Sequence, residues 1–194
     1  MNGQFLERLE DVEAETVRKR IGYGNPPIGV SLFSGAGGFD LGMTQAGFDV
    51  RVMIENDEQA CETLELNEER FNDHTEPEII QDDIREVSTE QILEAADAGV
   101  GEVTAVFGGP PCQGFSMAGD RDPGDERNEL YQEMVRVVNE AKPVFVFMEN
   151  VKGLASMQDG EVIQNVCRQF QQCGYHVQWN VLDAADYGVP QHRE

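Results

Sequence analysis

Two side chains of this 194-residue sequence have the type and setting for covalent chemistry. Cys112 stands in "GGPPCQGFS" (Gly108–Ser116), directly after Pro110 and Pro111 and close behind the apolar run "TAVF". A buried cysteine is ordinarily a small hydrophobe. Here two prolines restrict the backbone beside it, so the direction of its sulfur is set in advance. Glu149 follows a second apolar run, "VFVFM", and opens the tripeptide "ENV". Where two such runs are neighbouring strands, a thiol nucleophile and a carboxylic acid meet at one sheet edge and form a catalytic pair. The alternative for Glu149 is a strand-end acid in water. Its place after an apolar strand predicts partial burial, a raised pKa and a proton-donating role.

A second group of residues suits a nucleoside cofactor. In "SLFSGAGGFDLGM", Gly35, Gly37 and Gly38 permit a tight turn and close backbone approach to a ligand. Glu55 closes the run "VRVMIE", where an acid can accept two hydrogen bonds from a ribose. NAD, FAD and S-adenosylmethionine sites all use this pairing, and glycines also serve as plain turn-formers. The spacing departs from Gly-x-Gly-x-x-Gly, which favours a cofactor without a pyrophosphate. Asp83, after a third strand-like run, is placed to accept from an adenine amino group or to cap a helix.

The elements that must position these residues alternate. Strand-like runs fall at Ile28–Phe33, Val50–Glu55, Glu78–Ile84, 103–109, 143–150 and 175–183. Helical patterns fall between them, at 38–47, 57–70, 88–99, 127–142 and 159–174, with Asp57 as an N-cap and Ser88 with Gln91 as a capping box. A further amphipathic helix is expected at Gln4–Ile21, ended by "GYGNPP". This order predicts an α/β fold with a mostly parallel, doubly wound sheet whose ligands sit at the carboxyl ends of the strands. Residues 1–27 then form an N-terminal helix and linker, and 28–194 a catalytic domain. The polar loop Ser116–Glu126, directly after the cysteine turn, has the length and composition of a functional loop.

The net charge is −23, from 37 acidic and 14 basic residues. Such a surface repels nucleic acid in dilute buffer. An acidic cytosolic enzyme and a protein adapted to molar salt both fit; the spread of the acids along the whole chain favours the second. At molar salt the Debye length falls to about 3 Å, which screens self-repulsion. Cys61, Cys112, Cys167 and Cys173 form no Cys-x-x-Cys pair, and His74, His176 and His192 are scattered, so no metal site is expected. No apolar run is long enough to span a bilayer and no signal peptide is visible, so a reduced, cytoplasmic protein without a membrane partner is expected.

Taken together and in order, "SLFSGAGGFDLG", "IENDEQA", "DDI", "GGPPCQGFS", "DERNELY", "ENV" and "YGVPQHR" resemble the motifs of the cytosine-C5 DNA methyltransferases, from Ile28 to the last residue. The resemblance implies a Rossmann-like, S-adenosylmethionine-dependent methyltransferase fold with a separate target-recognition domain. It implies that Phe33, Ser34, Gly35, Gly37, Gly38 and Pro110 line the cofactor site, that Glu55 holds the ribose, that Asn56 lies near the adenine and that Asp83 takes its amino group. It further implies that Cys112 adds to C6 of a cytosine flipped out of double-stranded DNA, that Glu149 meets N3 and the exocyclic amine, and that Arg193 lies on the O2 side of the base. The loop after Cys112 would close over that base, with Arg121 or Arg127 contacting phosphate or base, or simply pairing with nearby acids. The family pattern continues to a second arginine two places beyond Arg193, whereas this chain stops at Glu194. A fragment, or one subunit of a split enzyme whose complementary part carries target recognition, is therefore expected, with weak or no methylation by itself. Relatives that methylate a transfer-RNA cytosine, non-catalytic accessory members of the family, and nicotinamide enzymes of similar architecture are the rival readings. The intact nucleophile and glycine turn speak against the accessory role, and the Cys112 and Glu149 motifs against the nicotinamide one. A role in restriction–modification is expected by analogy with the family.

Overall fold

The computed structural model describes residues 25–71, 75–111 and 130–193. The described chain falls into two compact units. The first holds the residues up to Gly108 together with Glu140–Phe147; the second holds Gly109–Asn139 and the residues from Met148 onward.

The first unit is built on a sheet. In chain order its elements are β1 (Ile28–Leu32), α1 (Gly38–Gln45), β2 (Asp49–Glu55), α2 (Glu58–Leu66), β3 (Glu78–Gln81), α3 (Thr89–Ala95) and β4 (Ala105–Gly108). A long helix, α4 (Leu130–Ala141), then leads to β5 (Phe145–Met148). The strand order is β3-β2-β1-β4-β5, and the β1–β2, β1–β4 and β2–β3 pairs are parallel. This is the α/β architecture expected from the alternating pattern. The central strands are buried on both faces, which is why they read as continuous apolar runs rather than as alternation. Met43, Val50, Met53, Leu64, Phe71, Ala105 and Phe107 form one core cluster, with Phe39 tilted against Phe107 at a ring separation of 5.0 Å.

Register brings the carboxyl ends of the three central strands level. Leu32 pairs with Ile54 on one side and with Gly108 on the other. The approach at Gly108 is so close that a Cβ there would lie 2.0 Å from the Leu32 carbonyl oxygen. Only glycine lets β4 run beneath the start of the turn that leaves β1.

The second unit contains most of α4, which buries Met134, Val137 and Val138 at helical spacing. It also contains the short helix α5 (Gly153–Ser156), a 3₁₀ turn (Met157–Gly160), α6 (Glu161–Gln172) and a 3₁₀ turn at Ala184–Tyr187. α6 buries Val166 and Phe170, an i, i+4 pair.

Several expectations change. The third strand ends at Gln81 rather than at Ile84, which leaves Asp83 in the turn that follows. The 57–70 helix breaks after Leu66 into a 3₁₀ turn at Glu68–Arg70. The sixth strand is not formed: residues 175–183 carry no regular structure, and Trp179, Val181 and Leu182 are exposed. A strand exists only where a neighbour takes up its N–H and C=O groups, and alternation alone supplies none. The helix expected at Gln4–Ile21 lies outside the described residues.

Candidate active site

In the first unit the site grows from the ends of β1 and β2. After Leu32 the chain reverses through Phe33 and Gly35, both at positive φ (59° and 55°), and enters α1 from Gly37 at φ 81°. A Cβ at Gly37 would meet the Phe71 ring at 2.5 Å and Leu64 at 2.8 Å, so the turn is moulded onto the core. At Gly35 and Gly38 an added Cβ would meet nothing within 4 Å; both border open space. The Ser34 amide donates to the Ile54 carbonyl at 3.1 Å, tying the turn to the end of β2.

Glu55 sits where that turn passes. Its Oε2 accepts from the Gly35 amide at 2.7 Å, and its Oε1 accepts from the amides of Asn56 and Asp57, both at 2.9 Å. Three backbone donors therefore fix the carboxylate; they take both lone pairs of Oε1 and one of Oε2, so Oε2 keeps a lone pair to offer. Three residues expected at the cofactor site are brought together: Gly35 of the glycine turn, Glu55 expected at the ribose and Asn56 expected near the adenine. Asp57 in turn caps α2 through the Ala60 amide at 2.8 Å.

Asp83 is engaged differently from expectation. Arg85 grips its carboxylate from two nitrogens, at 3.0 Å from Nε and 2.6 Å from Nη2, and this partner holds the Asp83 pKa below the usual carboxylate range. An adenine amino group would share Asp83 with that guanidinium.

One residue escaped the sequence reading. Asp40, in the first turn of α1, is fully buried and neither carboxylate oxygen has a hydrogen-bond partner of good geometry. Burial raises its pKa to about 6, against a smaller opposing pull from Ser31 and Ser34. Those two hydroxyls bond to each other at 2.8 Å. An acid at this helical position ordinarily reads as an exposed partner of the helix dipole, so the sequence carries no clear signal of its burial.

In the second unit the residues expected around a base lie on two segments. Asn150 donates from Nδ2 to the Pro110 carbonyl at 3.0 Å, and its Oδ1 accepts from the Val151 amide at 2.9 Å. A Cβ at Gly109 would lie 3.2 Å from Glu149 Oε2. The double-proline turn and the Glu149–Asn150 corner are thus in contact, and Pro110 is buried at their junction. Glu149 itself is exposed, so the partial burial expected for it is absent. The apolar run before it is itself only half-buried, with Phe145 and Phe147 exposed, and Glu149 lies beyond the last residue of β5, Met148. Arg193 is exposed and is held by its backbone near Asp183. Cys112, Arg121, Arg127 and the loop Ser116–Glu126 lie outside the described residues.

Comparison with known proteins places the chain in a family. The family model for C-5 cytosine-specific DNA methylase matches residues 29–194. Type II methyltransferase M.AquIA of Picosynechococcus is 42% identical over 174 residues, covering 85% of this chain and 68% of that protein. Type II methyltransferase M1.HphI of Haemophilus parahaemolyticus is 42% identical over 167 residues, covering 84% of this chain and 43% of that protein. A solved DNA modification methyltransferase encoded within an E. coli prophage superposes with a TM-score of 0.69 at 32% identity, covering 86% of this chain and 44% of that one. The chain belongs to the C-5 cytosine-specific DNA methylase family. It spans less than half the length of M1.HphI and of the prophage enzyme.

Proposed function

We propose that this chain carries the catalytic residues of a DNA cytosine-C5 methyltransferase that uses S-adenosylmethionine. The observation that carries the reading is the Asn150–Pro110 hydrogen bond, which joins the cysteine turn to the Glu149 corner. The cofactor edge suits the group: a carboxylate fixed by three backbone donors, with glycine-lined open space beside it, matches a ribose diol and its nucleoside. Glu55 would hold the ribose hydroxyls, Asn56 would lie by the adenine, and Phe33, Ser34, Gly35, Gly37, Gly38 and Pro110 would line the remainder. When bound, S-adenosylmethionine supplies an electrophilic methyl group.

The chain's own residues do the rest. The Cys112 thiolate adds to C6 of the extruded cytosine, forming an S–C6 bond and pushing the ring electrons toward C5 and N3. Glu149 shares the proton at N3 and accepts from the exocyclic amine, which offsets the charge that addition places on the ring. Arg193 lies on the O2 side. Once C5 has been methylated, loss of the C5 proton lets the electron pair re-form the C5–C6 double bond and expel the Cys112 thiolate.

The remaining part of the catalytic cycle, target recognition above all, we assign to sequence or a subunit beyond these residues. The exposed apolar side chains Trp179, Val181, Leu182, Tyr187 and Val189 offer that part a surface to cover. The Type II relatives support a role in restriction–modification, and double-stranded DNA is the proposed substrate. The charge of −23 points to a salt-rich cytoplasm as the setting.

The test uses the protein as its host makes it. Duplex DNA carrying 5-fluorocytosine traps the adduct, because fluorine cannot leave as the C5 proton does. A covalent complex that forms with the wild type and not with Cys112→Ala is the expected result. Methyl transfer to transfer RNA and not to DNA would overturn the reading.

A further inference from the structure

The C-terminal segment of the second unit is closed by one carboxylate. Asp183 caps the 3₁₀ turn Ala184–Tyr187, its Oδ1 accepting from the Ala185 amide at 3.0 Å. That bond alone would satisfy a cap. The same oxygen also accepts from the Arg193 amide at 3.1 Å, and Oδ2 lies 2.7 Å from His192 Nδ1. The Ala184 amide completes the closure by donating to the Arg193 carbonyl at 2.9 Å. Both backbone polar groups of Arg193 are therefore occupied.

Its guanidinium, by contrast, makes no hydrogen bond or ion pair among the described residues. In a sequence with 37 acidic residues, an arginine held at both backbone groups and left unpaired at its head is presented outward. We propose that Asp183, braced by His192, is the positioning residue for Arg193, holding its backbone so that the guanidinium meets the extruded base. The proposal rests on the reading of Arg193 given above. His192, then the Ala185 amide, hold the Asp183 pKa below the usual carboxylate range, and Lys152 adds a smaller pull in the same direction, so the brace is ionised at neutral pH. Asp183 acts on the backbone, so it touches no reacting atom and its effect passes entirely through Arg193.

Two measurements test it. In amide hydrogen exchange on the full chain, Asp183→Ala should lose protection at Arg193 and Ala185. Asp183→Asn, which keeps one acceptor oxygen, should retain most of it. Unchanged protection at Arg193 in Asp183→Ala overturns the proposal. In methyl transfer by the protein as its host makes it, Asp183→Ala should lower kcat by roughly a hundredfold, the scale of an ångström-level misplacement, with little change in cofactor KM. The double variant with Arg193→Ala should be no slower than Arg193→Ala alone, and Asp183→Asn should recover most of the rate. Additive losses, or a normal rate in Asp183→Ala beside a slow Arg193→Ala, overturn the positioning role. A normal rate in Arg193→Ala instead overturns the underlying reading of Arg193.

Discussion

Glu55 accepts the Gly35 amide at 2.7 Å, so the acid that ends β2 is fastened to the glycine turn that follows β1. The bond links two strand ends into one edge, the one proposed for the cofactor, and fixes the direction of the remaining Oε2 lone pair. Glu55→Gln keeps one acceptor oxygen but loses the charge and cannot satisfy Gly35 together with Asn56 and Asp57. A charge-assisted bond is worth about 1.5–3 kcal/mol, so the Kd for S-adenosylmethionine should rise by roughly ten- to a hundredfold. Calorimetric titration checks this; an unchanged Kd would remove Glu55 from the site.

The buried carboxyl of Asp40 predicts a pH dependence of stability. Its native pKa is raised to about 6 from 3.8, chiefly by desolvation. The unfolded chain releases this proton near 3.8, the native one near 6. The stabilisation from keeping the proton is therefore fully present below 3.8, declines between the two values and is gone above 6. The whole span is worth about 3 kcal/mol. Asp40→Asn cannot ionise, so above pH 7 it should be more stable than the wild type by up to that amount, with the gain vanishing below pH 4. Urea unfolding across this range measures it. A variant less stable than the wild type above pH 7 but equal to it below pH 4 would show that the folded protein stabilises the Asp40 carboxylate, and would overturn the raised pKa.

Gly108 offers a sharper structural test. A Cβ there would stand 2.0 Å from the Leu32 carbonyl oxygen, in register with a buried strand. Backbone cannot retreat as a flexible side chain can, so Gly108→Ala should cost about 3 kcal/mol and lower the urea midpoint, or leave the protein insoluble. Gly38→Ala, which borders open space, should change stability far less and serves as the control.

The readable parts of the sequence were those where local chemistry and burial agree. β1, β2 and β4 are apolar on both faces because both faces are covered, so Ile28–Leu32 and Asp49–Glu55 stand out as runs. The Ser88–Gln91 capping box is a local exchange of bonds and is present as expected. Residues 175–183 misled because alternation records which side chains avoid water, not whether a strand lies alongside. Glu149 misled for a related reason: an apolar run says nothing of what lies beyond its end. Asp40 was invisible because its burial depends on which way a whole helix faces. The Asp183–Arg193 bond was equally hidden, since it closes a loop whose ends are set by turn geometry.

The acidity makes a prediction about salt. Carboxylates spread over the whole chain repel one another in dilute buffer, and molar salt shortens the range of that repulsion to about 3 Å. The melting temperature should rise steadily from dilute buffer to molar KCl, whereas an ordinary acidic enzyme gains little. A flat melting temperature would assign the charge to general solubility.

Asn150 separates binding from chemistry. Its Nδ2 donates to the Pro110 carbonyl at 3.0 Å, and nothing in its contacts involves the Glu55 edge. Asn150→Ala frees the Pro110 carbonyl and loosens the turn on which the next residues depend. The direction of the Cys112 sulfur should broaden, while Gly35 and Glu55 keep their geometry. Asn150→Asp is the harsher variant, since it sets a carboxylate oxygen against a carbonyl oxygen where a donor had been. Both should slow 5-fluorocytosine adduct formation, Asn150→Asp by roughly a hundredfold and Asn150→Ala less, with the S-adenosylmethionine Kd unchanged. Adduct formation at the wild-type rate in both variants would show that the double proline alone aims the thiol, and that the Asn150 bond only joins two pieces of backbone.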